Sequence, residues 1–232
     1  MLHEKKSVMK GSVIVISGID TGIGKTIVTG LLAKALLQHG KNVITQKIVQ
    51  TGCEGISDDI LEHRRLMGIG LQEADREGHT CPYLFRYPAS PHLSARMEGT
   101  EIDLMHIRRA TLFLQKRYEL VLLEGVGGLL VPLAPDLLFA DYVRDAGYGL
   151  LLVTTPRLGS INHTLLSIEA CLKRGIPLRG VIYNCFENID TLIADDTCEV
   201  IIHSLNKAGC SAPLIDLRHG ELEPDILARL SL

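Results

Sequence analysis

The 232-residue chain contains no tryptophan, and only 4% of its residues are aromatic. A protein that grips single-stranded nucleic acid stacks bases on flat side chains, so this composition argues against that class. Positive charge is not in excess either: 24 Lys and Arg stand against 27 Asp and Glu, a formal net charge of -3. No general attraction for nucleic acid or anionic lipid follows, and any anion binding has to be local. Long apolar runs are also missing. The charged opening MLHEKKSVMK precedes only the short run 13–16, too brief for a signal-peptide core or a membrane span, so a cytoplasmic location is expected. Six cysteines (Cys53, Cys81, Cys171, Cys185, Cys198, Cys210) form no CxxC pair, and the nine histidines include no HExxH. Free, mostly buried thiols are expected rather than disulfides or a zinc site. No repeat, low-complexity tract or linker divides the chain. One domain over 1–232 is expected, with 1–11 as a flexible extension.

What is present is an alternation of short apolar runs and helical patterns. Residues 13–17 (VIVIS), 42–47 (NVITQK), 119–124 (ELVLLE), 149–154 (GLLLVT) and 178–184 (LRGVIYN) read as strands. Most are continuously apolar, as strands covered on both faces are. Ile27, Val28, Leu31, Leu32, Ala35 and Leu36 repeat on one helical face before Gly40, and 160–174, 190–207 and a short stretch after Pro224 read as further helices. The pattern predicts an α/β domain: three layers, with a mainly parallel central sheet flanked by helices. Segment 68–99 breaks it, being polar, without clean period and holding three of the nine prolines. A loop of that length is functional or disordered.

The segment GIDTGIGKT, 18–26, lies between a predicted strand and a predicted helix. A glycine-rich turn there aims backbone N–H groups and the positive helix end at a polyphosphate, while Lys25 neutralises charge and Thr26 offers a hydroxyl to magnesium. A strict P-loop would carry its first glycine where Ile19 stands. KIVQTG, 47–52, closes the next strand, and residues just past the carboxyl ends of such strands face the ligand crevice, so Lys47 can reach the same phosphates. Glu124 ends the run ELVLLE before the turn GVGG, 125–128; a carboxylate at the tip of so apolar a strand needs a partner or a metal. Asp58, in the triplet SDD that opens a helical pattern, is equally readable as a helix cap. Ser90 and His92 stand close together, but no GxSxG elbow supports a hydrolytic reading.

In order and spacing, GIDTGIGKT, KIVQTG, PYLFRYPASPH (82–92), EGVGG (124–128), FADYV (139–143) and RLGSINH (157–163) resemble the dethiobiotin synthetase family over nearly the whole chain. The chain differs from the commonest pattern in Ile48, where a proline usually follows the lysine, and in Gly22, at a position that can be acidic. The resemblance implies an ATP-dependent ligase of biotin biosynthesis. In that reaction, 7,8-diaminopelargonate takes up CO2 as a carbamate, the carbamate is phosphorylated by ATP, and the second amine closes the ureido ring of dethiobiotin. It further implies that Thr21, Lys25 and Lys47 serve catalysis, and that Gly22, Ile23, Gly24, Lys25, Thr26, Ile27, Asp58, Glu124, Gly127 and Asn184 bind ATP. Within that set, Asn184 would read the adenine edge, beside a covering turn PLIDL from Pro213. Mg2+ falls to Thr26, Asp58 and Glu124, with Asp59 as a one-residue alternative to Asp58. The substrate falls to Thr51, Ser90, Gly159, Ser160, Ile161 and Asn162, the last four acting across the interface of a homodimer. No nucleic acid or membrane partner is implied.

Two other classes share features of this pattern. ParA/MinD-like positioning ATPases have the same expected architecture but usually carry an extra lysine early in the P-loop, where Asp20 stands here. Cobyrinate-type amidating synthetases would normally need an added glutaminase domain, for which 232 residues leave no room.

Overall fold

A computed structural model of the chain describes residues 11–185, 190–218, 220–222 and 225–232. Of the expected flexible extension 1–11, residues 1–10 lie outside the described residues, whereas Gly11 is described. Gly11 is buried and anchored: its N–H donates to the Gln115 carbonyl at 2.8 Å.

In chain order the first half contains β1 (Ser12–Gly18), α1 (Lys25–Gln38), β2 (Val43–Lys47), β3 (Gln50–Thr51), α2 (Asp58–Met67), α3 (Glu73–Arg76), β4 (Leu84–Phe85), α4 (Pro91–Met97), α5 (Leu104–Gln115) and β5 (Leu120–Gly128). The second half adds β6 (Pro132–Ala134), β7 (Leu137–Leu138), α6 (Phe139–Ala146), β8 (Gly149–Thr154), α7 (Ser160–Lys173), β9 (Leu178–Cys185), α8 (Thr191–Lys207), β10 (Leu214–Arg218), β11 (Glu221–Leu222) and α9 (Ile226–Leu230). The main sheet runs β11-β10-β9-β8-β1-β5-β2; six strands are parallel, and β11 adds an antiparallel edge.

Alternation along the central strands builds two cores. Ile14 and Ile16 of β1 and Leu122 of β5 face one cluster, with Val28 and Leu32 of α1 and Ile201 of α8. Val13, Val15, Val121 and Leu123 face the other, with Ile107 and Leu114 of α5 and Phe139 and Val143 of α6. Successive residues of a strand point to opposite faces, so a strand covered on both sides must be apolar at every position. β1 lies mid-sheet, with β5 and β2 on one side and β8, β9 and β10 on the other. The chain's strand order reverses around it, which opens a crevice beyond its carboxyl end.

Three expectations change. Segment 68–99 is ordered by short elements: α3, α4 and β4, which pairs in parallel with β3. Its backbone also lines the sheet edge, Thr80 O accepting from Lys47 N at 2.7 Å and His79 O from Gln46 Nε2 at 3.0 Å. PLIDL is no turn; residues 214–218 form β10 in parallel register with β9, with Ile215 and Leu217 buried. The glycines of GVGG continue β5 to Gly128.

Candidate active site

The site lies at the carboxyl ends of β1, β2 and β5. The parallel register sets Lys47, the last residue of β2, opposite Glu124 of β5, and Ile16 of β1 opposite the same glutamate. After β1 the chain turns through Gly22 (φ +73°) and Gly24 (φ +87°) into α1. That left-handed backbone strains any other residue. At Gly24 space is lacking too, since a Cβ would sit 2.2 Å from Asn184 Nδ2.

The loop and strand tips enclose a cavity of about 760 Å³ lined by Thr21, Gly22, Gly24, Lys25, Thr26, Ile27, Lys47, Thr51, Asp59, Ser90, Glu124 and Gly127 among others. On one wall the charges interlock. Lys47 Nζ donates to Glu124 Oε1 at 2.7 Å and Gly125 O at 3.1 Å, and lies 2.5 Å from Asp59 Oδ2. Those three acceptors use all three N–H bonds of an ammonium. Thr26 Oγ1 also donates to Glu124 Oε1, at 3.1 Å, and His63 Nε2 meets Glu124 Oε2 at 2.8 Å. A carboxylate only accepts, so Nε2 carries the imidazole proton. Lys25 folds back on the loop, donating to Asp20 O at 2.7 Å.

Burial by itself would raise the Glu124 carboxyl, but the Lys47 charge and the His63 hydrogen bond outweigh it and hold the group well below the usual carboxylate range. For Lys47, burial pulls the ammonium down while Glu124 and Asp59 pull harder the other way, so its proton is held more tightly than in water. Among the described residues Lys25 has no ion-pair partner at contact distance. Burial first, then the nearby Lys47 charge, lower it from 10.5 to about 8, against the pull of Glu124 and Asp59. The result is a pocket with two cations, one of them held without a countercharge at contact. The hydroxyl of Thr26 and the carboxylates of Asp59 and Glu124 are hard oxygen donors converging on one wall, a set that suits Mg2+.

Residues 12–208 match a family model described as an AAA domain. The ATP-dependent dethiobiotin synthetase BioD of Chlorobaculum tepidum is 65% identical over 233 residues, spanning 99% of this chain and 98% of that protein. The ATP-dependent dethiobiotin synthetase BioD 2 of Haemophilus influenzae is 52% identical over 183 residues, 79% of this chain and 96% of that protein. The chain belongs to the dethiobiotin synthetase family. In fold it also matches P-loop ATPases: the MinC:MinD cell division protein complex of Aquifex aeolicus (TM-score 0.52, 19% identity, 95% of this chain and 85% of that one) and a ParA family ATPase from Chlorobium tepidum (TM-score 0.52, 18% identity, 95% and 89%). At those identities the likeness is one of architecture alone.

Most residues expected of a dethiobiotin synthetase family member line the cavity, including Thr21, Thr51, Ser90 and Gly127. Four placements differ. Asp58 is exposed and off the cavity, whereas Asp59 enters it. Consecutive helix residues point about 100° apart, so in the first turn of α2 only one of the pair can face Lys47. The Ile23 side chain is packed in the core, leaving only its backbone at the loop. Asn184 sits behind the loop instead of lining the cavity: Nδ2 donates to Ile23 O at 2.9 Å, and Oδ1 is buried without a hydrogen-bond partner among the described residues. Gly159, Ser160, Ile161 and Asn162 form the start of α7, and Gly159 and Ile161 line a separate cavity with Leu158 and Leu192. Within one chain they do not reach Lys47's cavity. Sequence reasoning missed His63. Its one signal was its spacing, four residues after Asp59 in the helix opened by SDD, which places both on one face.

Proposed function

We infer that the protein is an ATP-dependent ligase that makes dethiobiotin in biotin biosynthesis, from 7,8-diaminopelargonate, CO2 and ATP. The observation that carries this reading is the convergence of Lys25, from the start of α1, and Lys47, from the end of β2, on one cavity edged by Asp59 and Glu124. It is supported by the 65% identity to a named synthetase across nearly the whole length. The chemistry has to bring two anions together, the carbamate formed on one amine and the ATP γ-phosphate. Like unit charges about 4 Å apart repel by about 4 kcal/mol at an effective dielectric of ~20. Two ammonium groups fixed in place offset that repulsion without reorganisation.

In the proposed sequence, Lys25 turns from Asp20 O to the β- and γ-phosphates while the amides of residues 22–26 hold them. Lys47 stabilises charge shared between carbamate and transferring phosphoryl. The carbamate oxygen attacks γ-phosphorus and ADP leaves. The second amine then attacks the carbamoyl carbon, and phosphate departs as the ring closes. Thr26, Asp59 and Glu124 would hold Mg2+, which when bound neutralises phosphate charge. Thr51 and Ser90 wall the diamine. Asn184 would meet the nucleotide base from behind the loop and not from this cavity, its Oδ1 having no hydrogen-bond partner among the described residues. We assign the Gly159–Asn162 turn of a second copy to the substrate carboxylate, in a homodimer. Supporting this, Leu158 and Leu192, 86% and 76% exposed, flank that turn with apolar surface in need of cover.

The test is omission. With ATP, magnesium, bicarbonate and diamine, mass spectrometry should find dethiobiotin and ADP in equal amounts, and leaving out any one component should abolish the product. ADP formation that ignores the diamine, or product formed without CO2, would overturn the reading.

A further inference from the structure

We propose that His63 is a positioning residue, a second prong of helix α2 that fixes the orientation of the Glu124 carboxylate. The proposal rests on the functional reading above only for what Glu124 does, since the geometry stands by itself.

Glu124 is fully buried, and its two oxygens are differently employed. Oε1 accepts from both Lys47 and Thr26, whereas Oε2 accepts from His63 alone among the described residues. A carboxylate turns about its last bond, and donors gathered on one oxygen let it tilt until the other oxygen shares them. Lys47 and Thr26 both lie on Oε1, and His63 at 2.8 Å on Oε2 is the contact that opposes that tilt. The imidazole is itself completely buried and cannot exchange this bond for water. Its Nδ1 has no hydrogen-bond partner among the described residues, so the ring's polar contact is spent on Glu124.

The source of this contact is the helix. Asp59 and His63 lie one turn apart on α2 and project the same way, Asp59 onto Lys47 and His63 onto Glu124. The two members of the Lys47–Glu124 pair, on adjacent strands, are thereby each held by one prong of one rigid element. Outer contacts that orient a charged group in this way commonly account for ten- to a hundred-fold in affinity or rate.

The experiment uses the full-length protein with His63→Leu, His63→Gln and His63→Asn. Gln carries its amide nitrogen as many bonds from Cα as Nε2 of His, whereas Asn reaches only as far as Nδ1. Two quantities are measured: kcat with KM for ATP, and, by calorimetry, the gain in ADP affinity on adding Mn2+. For His63→Leu we expect kcat to fall by about ten-fold or more, with KM for ATP changing much less, and the Mn2+-dependent gain in ADP affinity to shrink several-fold. His63→Gln should recover most of both, and His63→Asn little. If His63→Leu does not fold, the Gln and Asn pair decides. Equal behaviour of Gln and Asn, or a folded Leu variant with both quantities within two-fold of wild type, would overturn the proposal. A wild-type protein that made no dethiobiotin would count against the reaction, while the calorimetric comparison would still decide the role of His63.

Discussion

Glu124 shows how one side chain can be costly to bury and still stable. Removing a carboxylate from water is expensive, and among the described residues the Lys47 ammonium and the donors from Thr26 and His63 offset that cost. Glu124→Gln should therefore lower kcat by about a hundred-fold or more and raise the magnesium concentration needed for half-maximal rate. A titration of rate against magnesium checks this, and an unchanged midpoint would reduce Glu124 to a structural support for Lys47. Lys25 makes the opposite case, a cation that burial and Lys47 bring down to about 8. Since the protonated form attracts phosphate, kcat/KM for ATP, which reports the free enzyme, should decline as pH rises through about 8. Lys25→Arg should flatten that limb, because guanidinium stays charged. At this scale most of the site could be read in advance: GIDTGIGKT and the lysine of KIVQTG carry their chemistry in their spacing. The choice between Asp58 and Asp59 could not be read, because adjacent residues share composition and differ only in the direction a helix gives them. His63 was silent because a histidine in an amphipathic helix looks the same whether it packs or donates.

Helix α2 owes its start to Ser57, which accepts from Ile60 N, and to Asp58 and Asp59 at the positive end of the helix. Its far half is tied down by Arg64, whose guanidinium bonds both oxygens of Asp75 at 2.9 and 2.8 Å and Thr45 of β2 at 2.8 Å. This latch joins α2, α3 and the strand that carries Lys47. Burial would raise the Asp75 carboxyl, but the Arg64 bonds, the Gln72 amide and the Thr80 hydroxyl together bring it below its ordinary 3.8. A carboxyl lowered in the folded state contributes stability above its unfolded value. That contribution is lost as pH falls from about 3.8 through the lower folded value. Asp75→Asn should cost about 3–5 kcal/mol at neutral pH, because it strands a buried guanidinium. Denaturant melts at pH 7 and pH 3 should show the two proteins converging in acid. A constant gap would show that Asp75 acts by shape alone. Legibility at this scale followed the environment. Strands covered on both faces, such as β1 and β8, announced themselves by unbroken apolar runs. β10 did not, because near the sheet edge only alternate residues are buried and LIDL then looks like a polar turn. Segment 68–99 hid its order for a related reason: it is held by Arg64 on Asp75, by its own carbonyls along the β2 edge and by the two-residue pairing of β4 with β3, none of which leaves a period in the sequence.

For the molecule as a whole, a net charge of -3 and a pocket built on two lysines are compatible because the positive charge is local and set in low dielectric. No helix among the described residues is long and apolar enough to cross a membrane. The α/β class and the mainly parallel sheet were foreseeable from alternation alone. The proposed homodimer was not foreseeable in that way and rests on the family resemblance, since exposed leucines such as Leu158 and Leu192 leave no period in the sequence. In the proposed homodimer, Leu158→Asp should dissociate the protein, lower dethiobiotin synthesis sharply and leave ADP binding within about three-fold of wild type. Analytical ultracentrifugation with calorimetry checks both parts, and an active monomer would exclude a composite site.

Lys47 is the final residue of the outermost strand, paired to β5 on one side and braced by the Thr80 carbonyl on the other. Side-chain direction alternates along a strand, so adding or deleting one residue inside 43–47 would turn the ammonium toward the opposite layer. The same change at 54–55, which is exposed and outside every helix and strand, would leave that alternation untouched. Length variation among functional descendants of this chain should therefore collect in the connector at 54–55 and be missing from residues 43–47.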